Sequence, residues 1–309
     1  AKIRLDARSL TTVTDNLARL DSSLARALCW SAAWDMTRDA EMAPSAFVEL
    51  VANGIGTEDN IVTLQITLRQ AQSVIDLYAR PEHRDAIRTR MASSLRELVH
   101  QAAAGSDHQL ALLRAFAGVS TEDADLALLG RLLDGTEVLE GLTVDADLRW
   151  HLLHRLVVRG KRADEAIEAE LAQDATSGGQ RHAAAARAAR PTAEAKAEAW
   201  SKLVDHDELP NALQTATIAG FVEPDQRDLL QPYVERYFTS IGQVWDTRTS
   251  EMATNIVMGL YPAIFVDQSV VDRTNAYLAD EQPPAVLARL LAEGRSGVER
   301  ALRAQAVDA

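Results

Sequence analysis

The chain has a single cysteine, Cys29, in 309 residues, so it forms no internal disulfide. No histidine lies near Cys29 in sequence. Its apolar surroundings (ARALCWSAAW) mark a packed thiol and not a nucleophile. Aromatic residues make up only 5% of the chain. β-Branched runs are short and rarely alternate with polar residues, which argues against strands. No apolar run reaches the roughly 18 residues that a membrane-spanning helix needs. The first residues, AKIRLDARSL, lack the apolar stretch of a signal peptide. Positive charge is in deficit, with 32 Lys and Arg against 45 Asp and Glu and a net charge of −13. That balance excludes the basic footprint of a nucleic-acid binder and a polybasic membrane-surface role, and it reads as solubility. There is no GxSxG elbow and no glycine-rich phosphate loop after a strand.

What is present is helix-forming. Apolar residues make up 47% of the chain, with Ala and Leu leading, and these lose little freedom in a helix. Ile61, Leu64, Leu68, Ala71, Ile75 and Tyr78 step by three or four, which predicts one apolar stripe along about five helical turns. Ile87, Met91, Leu95 and Leu98 repeat the pattern, as do Leu148, Leu152 and Leu156, and then Met252, Ile256 and Leu260. Pro44, Pro81, Pro210 and Pro283 stand where helices can begin. Thr57, Ser106, Thr121, Asp145 and Thr192 are candidate N-caps. Gly54–Gly56, Gly105, Gly118, Gly135, Gly141, Gly160 and Gly178–Gly179 mark breaks, the last pair being the best candidate for a joint. The alanine-rich stretch from His182 to Ala189 predicts a close-packed helix.

These stripes and breaks predict about fifteen helices of roughly 10 to 20 residues with short connections. A helix pair cannot bury its apolar face alone. The pattern therefore predicts an all-α chain, one domain over residues 1–309, built as a curved superhelix of stacked pairs in the manner of armadillo or HEAT arrays. A compact all-α bundle is the alternative.

Three groups of residues invite a chemical reading. His151 and His154 are three apart on one helix face, with Asp147 one turn earlier, so the imidazoles can reach one metal ion. No Glu lies between them to act as a base, and two ordinary helix histidines are the commoner outcome. Trp30 and Trp34 share a face and can line a peptide groove, although anchoring helix packing is the commoner use of so much buried area. Arg149 beside Trp150, and Arg248 after Trp245, can hold a peptide carboxylate, although an ion pair is the commoner role. No catalytic, cofactor or metal residue is assigned.

Several stretches resemble the C-terminal helical domain of the aminopeptidase N family, the endoplasmic-reticulum aminopeptidase-like domain. They are LARALCWSAAWDMTRDAEMAPSAFVELV (Leu24–Val51), DLRWHLLHRLVVRG (Asp147–Gly160) and the segment from Pro210 to Pro262, with PNALQTATIAGF and PYVERYF. The resemblance implies a parent peptidase whose separate thermolysin-like domain carries zinc on an HExxH helix and grips the peptide's amino end with GxMEN. No His here is followed by Glu, and no Met is followed by Glu, so neither motif is present. The implied role is a non-catalytic domain that gates peptide access in a cytoplasmic zinc aminopeptidase. Its partners would be the catalytic domain of the same polypeptide and the peptide substrate, and zinc would belong to the parent. The alternative is a free-standing α-solenoid scaffold for a protein partner.

Overall fold

The computed structural model describes residues 2–308, and among these the chain is all-helical, with seventeen α-helices, five short helical segments and no strand. The sequence predicts about fifteen; the structure adds short pieces such as Arg227–Leu230. Among the described residues, no helix is long and apolar enough to cross a membrane. The chain divides into two compact units, one of Ala1–Val144 with Arg300–Ala309 and one of Asp145–Glu299.

The first unit contains α1 (Ala7–Asn16), α2 (Ser23–Arg38), α3 (Pro44–Gly54), α4 (Ile61–Ser73), α5 (Pro81–Gln101), α6 (Asp107–Val119) and α7 (Asp123–Leu133). Its core gathers Phe47, Val48, Val51, Ile55, Val74, Ile75, Leu95 and Phe116, all essentially without solvent contact. The stripe from Ile61 to Tyr78 is found as α4 continued by a π-helical turn, Val74–Tyr78. Pro44 and Pro81 open α3 and α5 as expected. Asn60, and not Thr57, caps α4. Residue Glu122, and not Thr121, precedes α7. Gly118 lies inside α6 and is no break.

The second unit runs from α8 (Ala146–Val158) through α9 (Asp164–Gln173), α10 (Ser177–Ala188), α11 (Ala193–Trp200), α12 (Asn211–Phe221), α13 (Arg227–Leu230), α14 (Pro232–Thr247), α15 (Ser250–Gly259) and α16 (Gln268–Asp280). The last helix, α17 (Ala285–Ala306), contains the boundary between the units and starts two residues after Pro283. Asp145, Thr176 and Thr192 cap α8, α10 and α11 with their side-chain oxygens. Gly160 ends α8 with φ of +66°, and the following amide of Lys161 returns to the Leu156 carbonyl at 2.8 Å.

The most extensive helix–helix contact in this unit joins α10 to α12. The alanine-rich α10 buries Ala183 and Ala186 completely. Gly178–Gly179 is no joint, because both residues lie in the first turn of α10. Small residues let the two backbones touch: a Cβ on Gly220 would lie 1.9 Å from the Ala185 carbonyl oxygen. No flexible side chain is available there to move aside.

Gly220→Val is therefore expected to destabilise the chain by about 3 kcal/mol, read from denaturant unfolding. In contrast, Gly297 has no neighbour within 4 Å of an added Cβ and sits inside α17. Gly297→Ala should stabilise by roughly 0.5–1 kcal/mol through helix propensity.

Candidate functional site

Sequence periodicity places His151, His154, Arg155 and Arg159 along one side of α8, and the turn Glu223–Gln226 that follows α12 meets that side. His154 Nε2 lies 3.2 Å from Glu223 Oε1. Arg155 pairs with Glu223 at 3.5 Å and with Asp225 at 3.6 Å, and Arg159 pairs with Asp225 at 2.8 Å. Burial, together with the cations of Arg155 and Lys196 and the neighbouring His151 and His182, lowers the His154 pKa to about 3. At neutral pH His154 is thus an uncharged imidazole donating Nε2–H to the Glu223 carboxylate.

Beside this cluster, three helices end together. Lys196 is wholly buried in α11, and its Nζ donates to the carbonyl oxygens of Ala188 at 2.8 Å, Gly220 at 3.3 Å and Phe221 at 3.0 Å. Those are the final residues of α10 and α12. Gln226 Nε2 donates to Val158 O at 3.2 Å, the end of α8, and to Ala189 O at 2.8 Å, just past α10. Unpaired helix C-terminal carbonyls carry partial negative charge, which a cation and an amide donor satisfy. The Phe221 ring adds its face to the ammonium, 5.6 Å away. Burial lowers the Lys196 pKa to about 8, opposed by Glu223.

A cavity of about 370 Å³ opens among α9, α10, α11 and α12. Its floor is small and apolar, with Ala184, Ala188, Ala195, Ala199, Leu209 and Leu213. Gln180, Arg187, Glu198 and Lys202 supply its polar lining. Glu198 accepts from Lys202 at 2.6 Å and Arg190 at 3.2 Å, and Arg187 pairs with Glu168 at 2.6 Å. Lys202 lies in a second π-helical turn, Ser201–Asp205, which follows α11 directly.

The candidate residues of the sequence are put to other uses. Asp147 lies 3.7 Å from His182, whose ring stacks on Trp150 at 5.7 Å between centroids. His154 goes to Glu223, and among the described residues no three His, Cys, Asp or Glu side chains converge as a metal site. Trp30 is buried and donates to Glu58 at 3.1 Å, while Trp34 packs against Phe47 and Tyr78. Arg149 grips Glu170 with two nitrogens, at 2.8 and 2.6 Å, and Arg248 donates to the carbonyls of Val204 and His206. Cys29 is partly buried, and burial raises its thiol pKa.

Lys196 is the residue that sequence reasoning missed. Its only signal is its place among Ala195, Ala199 and Trp200, all buried, on a helix where a lysine reads as a solvated charge. Lys196→Met, which strands three carbonyls, is expected to cost about 3 kcal/mol at neutral pH. The folded pKa of about 8 lies below the ordinary 10.5, so between those values the unfolded chain holds more proton than the folded one. The stability gap between the parent and Lys196→Met should therefore be flat below about pH 8 and widen from there towards 10.5. Denaturant titrations across that window measure it; a narrowing gap would show that the folded state binds the proton more tightly.

The family model for the ERAP1-like C-terminal domain matches residues 1–300. A curated Aminopeptidase N of Streptomyces lividans is 53% identical over 309 residues, which cover 100% of this chain and 36% of that protein. The chain thus spans about a third of the length of the curated relative it matches. With an all-helical architecture and a family model that matches nearly its whole length, the chain belongs to the ERAP1-like C-terminal domain family and is similar to the C-terminal part of an aminopeptidase N.

Proposed function

We propose that this domain serves a zinc-dependent aminopeptidase by covering an active site that another part of the polypeptide carries, admitting peptides and excluding larger substrates. The observation that supports this is the match of the whole chain to 36% of an Aminopeptidase N, joined to the lack of any HExxH or GxMEN sequence within it. A buried catalytic centre needs walls that exclude water and bulk, and a rigid helical array supplies them. Zinc is assigned to the catalytic part of the parent because the family resemblance implies it there, and no step of peptide hydrolysis is derived through this chain. The proposed partners are that catalytic part and the peptide substrate, and the proposed compartment is the cytoplasm.

Within this reading, the cavity among α9–α12 takes an apolar side chain of the longer peptides. Its alanine floor leaves room, and its Arg187, Glu198 and Lys202 can orient a peptide backbone.

Two measurements test the proposal. The purified 309-residue chain should release no alanine from alanyl p-nitroanilide and should retain no stoichiometric zinc after dialysis. Release that scales with chain concentration, with contaminating peptidase excluded, would end the non-catalytic reading. In the full-length polypeptide, Leu213→Trp fills the cavity and should lower kcat/KM for longer peptides by about tenfold while sparing the nitroanilide. An equal loss on both substrates would remove the gating role.

A further inference from the structure

Most of the longer helices in this chain are capped by their own side chains: Asp6 serves α1, Ser22 α2, Asn60 α4 and Ser106 α6. Two proline-led helices of the first unit are not. The N-cap of α3 is Ala43, which has no acceptor, and that of α5 is Arg80, whose side chain is only a donor. Both helices start with amides that need a partner.

That partner comes from far along the chain. Asp308 is 1% exposed, and its Oδ1 accepts from the Ser45 amide at 2.8 Å while its Oδ2 accepts from the Arg80 amide at 3.0 Å. The imidazole of His83 stands 3.3 Å from Oδ2. Burial raises the Asp308 pKa, but these donors outweigh it and hold the carboxyl below the ordinary 3.8, so it is ionised at neutral pH. Three residues earlier, Gln305 makes a reciprocal pair of contacts. Its carbonyl accepts from Arg80 Nε at 2.9 Å, and its side-chain amide donates to Leu77 O at 3.0 Å, in the π-helical turn that precedes α5. Ser45 and Asp308 are separated by 263 positions, and Arg80 and Asp308 by 228.

We propose that Asp308 is the shared N-cap of α3 and α5, and that the segment Gln305–Asp308 is a strap whose release frees the starts of both helices and the π-helical turn. Each oxygen of one carboxylate serves one helix, so a single side chain does the work of two local caps. The carboxylate also meets the positive end of both helix dipoles. The strap lies past residue 300, where the family match stops.

Site-resolved hydrogen exchange on the full-length polypeptide tests this. Asp308→Ala should speed exchange of the Ser45 and Arg80 amides by about tenfold and lower Tm of the first unit by about 5 °C, leaving α8–α12 unchanged. Asp308→Asn keeps one acceptor oxygen and should fall between parent and Asp308→Ala. It also serves as the readout where the alanine variant fails to fold. Gln305→Ala should speed exchange near the π-helical turn while the Ser45 amide stays protected. Unchanged exchange at both Ser45 and Arg80 in either Asp308 variant would overturn the assignment. Protection lost equally in both units would overturn it too, since a general destabilisation is not a strap.

Discussion

The second unit depends on three helices ending at one buried place. α8, α10 and α12 all deliver their terminal carbonyls to the region held by Lys196 and Gln226. Aligned carbonyls left without donors would repel one another and cost about 1–3 kcal/mol each. An ammonium with three N–H groups matches three of them, and a carboxamide matches two more. The Glu223–Asp225 turn brings acids to the same place, and Arg155 and Arg159 answer them from α8. The packing of α10 on α12 through Gly220 fixes the carbonyls that Lys196 must reach, so geometry and charge constrain each other.

Much of the architecture was legible in the sequence because helices announce themselves through local patterns. Proline at Pro44 and Pro81, the caps Ser106, Asp145 and Thr192, and the stripe from Ile61 to Tyr78 all depend on residues within a few positions of one another. The misreadings have the same origin. Gly178–Gly179 reads as a joint because glycine weakens helices, yet Thr176 caps the turn and a Cβ on Gly179 would lie 1.8 Å from Asp174 O. Crowding by Asp174, five residues upstream at the turn into α10, favours glycine there. The polar cores were illegible for a stronger reason. Lys196 and Asp308 look like surface charges because their acceptors and donors lie on other helices, up to 263 positions away in sequence.

The charged residues that invite a chemical reading are committed to holding the fold. Arg149 is spent on Glu170, Arg248 on backbone carbonyls, and His154 on Glu223 while held neutral. A domain built this way presents shape more than reactivity. That agrees with membership of the ERAP1-like C-terminal domain family.

The discontinuity of the first unit has a consequence for the order of assembly. Every internal contact of the second unit is available once residues 145–299 have been made. The first unit is synthesised earlier but is completed by Arg300–Ala309. Closing a loop of that length carries an entropic cost that grows with its logarithm, and the contacts of Gln305 and Asp308 help to offset it. Within this chain the usual vectorial order is thereby inverted: the unit made earlier waits, with two helix starts unsatisfied, for residues made after the second unit.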